Sequence, residues 1–288
     1  MFKRLLFSLV TMALIWIGQS LAPEQLWVAG NVGLGLAHIG LGLVYSKNGI
    51  DSLWQQGRWA KAAFLLALPL SLWAGLHPFR FEVVTLYFGL HHAIHESQFD
   101  RRASAPFKSA VFVVVLASYL LAVAPVAELV NPIAVAAVGL TAWGFALWQI
   151  GQVRRSGRTD SPLAKLGWVR NYPWLIMAPL VVLVALILPL SWPSMGYYHY
   201  AFYGLLPLFS DHKMPAAARQ QFWRQSIWVH GLGMAAMVGL WAIAVSKDVW
   251  WLFQTFVLAF IVATNVHISW SFFISGANPE WVRRLVRK

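Results

Sequence analysis

Long apolar runs, broken by short polar or basic segments, make up almost the whole chain. A membrane span needs roughly 20 apolar residues to cross about 30 Å of hydrocarbon. Ten stretches meet or approach that length: 5–22, 26–45, 62–77, 80–97, 108–127, 132–152, 172–191, 195–210, 226–246 and 249–275. The pattern predicts an all-α, polytopic helical transmembrane bundle of about ten spans, forming one integral membrane domain over 1–288. No repeat of solenoid length is visible.

Composition agrees, with 59% hydrophobic and 11% charged residues and a mean hydropathy of +0.61. Soluble domains carry about 25% charged residues, so this chain lacks the polar surface that a water-soluble fold requires. No Cys is present, which removes disulfides, thiolate ligands and a Cys nucleophile. The net charge of +12 would suggest a nucleic-acid partner in a soluble chain, but here the basic residues lie between spans. With Lys3 and Arg4 placed in the cytoplasm, 20 of the 22 Lys and Arg residues fall in inner segments, leaving Arg80 and Lys247 outside. That is a positive-inside distribution, and it predicts a multi-pass inner-membrane protein of bacterial type with both termini cytoplasmic and no nucleic-acid partner.

Ionisable groups within hydrocarbon are costly and mark functional sites. Seven of the nine His fall in or at the edge of a span: His38, His91, His92, His95, His199, His230 and His267. Counting from the inner ends at about 1.5 Å per residue, the topology places six of them in the cytoplasmic half of the bilayer and His199 nearer the outer half. On span four, His91 and His95 are spaced i,i+4, and so are His92 and Glu96, about 100° round the helix. Neither zincin motif, H-E-x-x-H or H-x-x-E-H, is present. Gly-rich segments at 30–42 and 231–233 would let helices approach closely enough for short imidazoles to share a ligand.

An all-His set with a possible carboxylate suits iron, zinc or copper rather than magnesium or calcium. The primary ligand candidates are His38, His91, His95 and His267, with His92 and His230 as further ligands or supports and His199 as a possible addition. Tyr203 and Glu96 are candidate catalytic groups. Another reading of the same residues is a proton- or ion-coupled transporter or channel whose histidines line a path, although one-sided depth disfavours it.

Three segments carry a family resemblance. Gly35-Leu-Ala-His38-Ile-Gly, Tyr87-Phe-Gly-Leu-His-His-Ala-Ile-His95 and Asn265-Val-His267-Ile-Ser-Trp-Ser-Phe-Phe-Ile resemble, in order and spacing, motifs of the Brp/Blh family of membrane-integral β-carotene cleavage dioxygenases. The match departs at Tyr198-His199-Tyr-Ala-Phe-Tyr203, where the family has two His and this chain has one. The resemblance implies iron (Fe2+) held by transmembrane His and a hydrophobic, membrane-soluble substrate such as a lipid or isoprenoid.

Overall fold

The computed structural model describes residues 3–45, 50–51, 58–97, 105–122, 132–155, 174–188, 190–204 and 216–274. Within them lie ten helices and no strand. They are α1 (Lys3–Leu21), α2 (Glu24–Tyr45), α3 (Arg58–Leu76), α4 (Arg80–Ser97), α5 (Ala105–Ala122), α6 (Pro132–Arg155), α7 (Trp174–Ala185), α8 (Trp192–Gly204), α9 (Ala216–Lys247) and α10 (Trp250–Ile274). Each coincides with one of the ten apolar stretches, and three segments, Glu24–Val44, Arg219–Lys247 and Trp250–Phe272, are long and apolar enough to cross a membrane. Apolar side chains left exposed on α3, including Leu65, Leu66, Leu68, Leu70 and Leu72, suit a lipid-facing surface.

Helix ends depart from the hydropathy pattern in two places. α9 starts at Ala216, ten residues before its apolar run, because Ala216-Ala-Ala-Arg-Gln-Gln is polar yet made of strong helix formers. α7 stops at Ala185 although apolar residues continue, and the amide N–H groups of Ile187 and Leu188 turn back onto the carbonyl of Val184. Between α9 and α10, Asp248 takes the left-handed conformation (φ 54°), and the Val249 amide donates to the Ala244 carbonyl at 3.2 Å. That is the six-to-one bond of a Schellman stop, with Asp in the place usually held by Gly.

The chain divides into two compact units, one comprising the start of the chain through Trp16 with Thr85–Met195, the other Ile17–Val84 with the stretch from Gly196. In unit one, α5, α6 and α7 pack on one another over Phe107, Val111, Val115, Trp174, Val181 and Val182, all buried. Pro179 has no N–H, so the Leu175 carbonyl lacks its helical donor. The Trp143 indole supplies one at 2.9 Å and ties α6 to α7. In unit two, α2 packs on α9 and α10, and α10 packs on α3, where the Phe64 and Trp270 rings stack 4.5 Å apart and the Trp270 indole donates to the Phe64 carbonyl at 3.1 Å.

Candidate metal centre

Glycines on α2 decide which side chains meet in unit two. A Cβ on Gly33 would run into the carbonyl oxygen of Gly233 and come within 2.7 Å of the Met234 Cα, so the α2 and α9 backbones touch there. A Cβ on Gly35 would collide with the Phe260 ring and approach the Tyr200 hydroxyl at 2.6 Å. One on Gly42 would stand 3.1 Å from the His267 ring. Near the other end of α2, Tyr197 stacks on Trp27 at 4.1 Å and donates its hydroxyl to the Trp27 carbonyl at 2.8 Å, fastening α8 to α2.

These approaches surround His38 with three imidazoles from three other helices. Its ring centre lies 5.2 Å from that of His199 on α8, 5.6 Å from His267 on α10 and 6.3 Å from His230 on α9. Tyr200, also buried, flanks the group at 5.3 Å from His38 and 5.7 Å from His199.

His199, the possible addition, therefore stands beside His38, although the span count placed it nearer the outer half. The depth of roughly 16 Å assumed a helix continuing to 210, and residues 205–210 lie outside the described residues. Tyr200 is absent from the sequence candidates; its place beside His199 in the chain is the signal that could have found it. The Tyr203 side chain lies outside the described residues.

His230 is the best defined of the four. Its Nδ1 is 2.7 Å from the Ser226 carbonyl oxygen, one turn earlier on α9, and 3.3 Å from the Ser226 hydroxyl. A carbonyl can only accept, so the proton resides on Nδ1 and the lone pair on Nε2. Nε2 is buried and has no hydrogen-bond partner. This is the tautomer and orientation that a carbonyl-supported metal ligand adopts. Because the carbonyl is the closer partner, Ser226→Ala is expected to change metal affinity by less than about threefold. Isothermal titration with Zn2+ checks this, and a much larger loss would transfer the supporting role to the hydroxyl.

The other expected site residues, His91, His92, His95 and Glu96, belong to the last two turns of α4 in unit one. The His91 and His95 ring centres are 4.1 Å apart. His92 meets the edge of Trp174 at 5.4 Å and lies 6.3 Å from Tyr119. His91, His92 and Glu96 are all buried.

Among the described residues, no group of three or more His, Asp or Glu is arranged to hold a metal ion as it stands. The donor types and ring spacings of unit two nevertheless fit one. Nitrogen ligands at about 2.1 Å put ring centres about 3.2 Å from an ion, and hence about 5.2 Å from each other at a tetrahedral angle and about 6.4 Å when opposed. The three separations from His38 fall in that interval. Compared with known proteins, the chain matches no family model, no curated protein and no solved structure.

Proposed function

We propose that this chain is a multi-pass membrane metalloenzyme, a non-haem iron oxygenase acting on a hydrophobic lipid or isoprenoid such as a carotenoid. His38, His199, His230 and His267 are its ligand set, and both termini lie on the cytoplasmic side of a bacterial inner membrane. The observation that carries the reading is the gathering of four imidazoles from four helices, with His230 held by a backbone carbonyl so that Nε2 is left to bind. Four neutral ligands without a thiolate suit iron, zinc or copper, and the resemblance to the Brp/Blh family favours iron.

Iron bound there would supply the activation of O2. The chain's own residues do the rest. Phe260 and Tyr200, packed at Gly35 one turn before His38, would give the site aromatic walls that exclude water. Ser226 keeps the His230 proton on Nδ1 through its carbonyl. A substrate dissolved in the bilayer reaches such a site without entering water.

Metal analysis of the purified full chain tests the proposal, with O2-dependent turnover of a polyene in vesicles as the second measurement. At least about one transition-metal ion per chain is expected, as is loss of turnover on chelation. Less than about 0.2 ion per chain would overturn it. So would solute flux across vesicles that persists with no metal bound, which the transporter reading predicts.

A further inference from the structure

The end of α4 presents metal-binding side chains that all belong to unit one. Successive residues turn about 100° round a helix, so His91, His92, His95 and Glu96 lie within an arc of about 140° on one side of it. His91 and His95 are one turn apart, their ring centres 4.1 Å from each other and tilted by 55°. Two imidazoles held by one ion at a right angle are about 4.5 Å apart. The pair is therefore near chelating geometry on a single rigid element, which lowers the ordering cost of binding.

The surroundings suit an ion as well as the spacing does. His91 and His92 are each 1% exposed and Glu96 is fully buried. Trp174 and Tyr119, both buried, wall the His92 side with aromatic rings. An apolar enclosure strengthens the attraction between a divalent cation and a carboxylate, and three imidazoles add neutral nitrogen donors without further charge.

We propose that unit one binds a transition-metal ion of its own, chelated by His91 and His95, with Glu96 as the anionic donor and His92 completing the set. As placed, the four side chains do not surround a common point, so closing the shell requires His92 and Glu96 to rotate toward the His91–His95 pair. The proposal does not depend on the oxygenase reading of unit two.

The test is metal stoichiometry of the full chain in lipid nanodiscs, titrated with Zn2+ alone and, for its ligand-field spectrum, with Co2+ alone. His91→Ala/His95→Ala is expected to lower the stoichiometry by one ion and to leave the ion that depends on His38. His38→Ala is expected to do the converse. If the wild type binds a single ion that survives His38→Ala and is lost with the double variant, this proposal stands and the unit-two centre fails. Two results overturn it: the double variant binding as many ions as the wild type, or His38→Ala emptying the protein of every ion, which would mean one shared centre. Should the double variant fail to fold, Glu96→Gln decides. It keeps the side-chain shape and is expected to weaken Co2+ binding at least about tenfold and shift its visible bands, and an unchanged spectrum and affinity would overturn the proposal.

Discussion

Replacing His38 by alanine is expected to lower the affinity of unit two for a transition metal by at least about 100-fold and to abolish turnover, while the helical content stays that of the wild type. Loss of a group that merely supports a ligand costs about 10- to 100-fold in affinity, and His38 is the ring that His199, His230 and His267 all neighbour. Without it, three donors remain, each on a different helix. Competition against a chelator of known affinity measures the loss, and circular dichroism checks the fold. His77→Ala provides the control. His77 lies in the turn between α3 and α4, its ring against Trp73 and Phe79, and its Nδ1 accepts from the Phe79 amide at 3.3 Å. A His38 variant that binds metal as tightly as the His77 variant would remove the basis of the proposed centre.

Hydropathy located every described helix because an apolar run is a local property of each. It misplaced ends where helix propensity and hydropathy part company. The start of α9 is polar but helical, and the residues after Ala185 are apolar but turned. The candidate site was legible in kind and only partly in membership. The i,i+4 spacing of His91 and His95 is written into one helix, and the two rings are indeed neighbours. Which histidines stand beside His38 depends on which helices touch, and no spacing along one helix encodes that. The signal that pointed there was steric. The glycines near His38 and those at 231–233 implied close approach, and Gly33 against Gly233 is that approach. For His199 the cue in its own segment was the single glycine Gly196, where an added Cβ would run into the Asn31 side chain of α2.

Gly33→Ala is expected to destabilise the protein by about 2–3 kcal/mol, in the range found when an extra methyl is forced into a closed contact. The added Cβ would meet the Gly233 carbonyl oxygen, with the Gly233 carbonyl carbon and the Met234 Cα each 2.7 Å away. All of these are backbone atoms, so no side chain can swing aside and the helices themselves must separate. The contact is reciprocal, since a Cβ on Gly233 would lie 2.6 Å from the Gly33 carbonyl oxygen. Close approach of this kind is how membrane helices gain packing energy in a solvent as apolar as their own side chains. The separation would also reach the site. His38 lies about 7.5 Å further along α2 and His230 about 4.5 Å back along α9, and their rings are 6.3 Å apart. Wedging the crossing open should lengthen that distance and weaken metal binding along with stability. Gly40→Ala, two turns on in the same helix, has nothing within 4 Å of the new methyl. It is expected to be neutral or to stabilise by up to about 1 kcal/mol through helix propensity. Unfolding of both variants in mixed micelles, followed by tryptophan fluorescence and paired with Zn2+ titration, measures the difference. Equal stability and equal affinity in the two variants would show that the α2–α9 crossing does not set the spacing of His38 and His230.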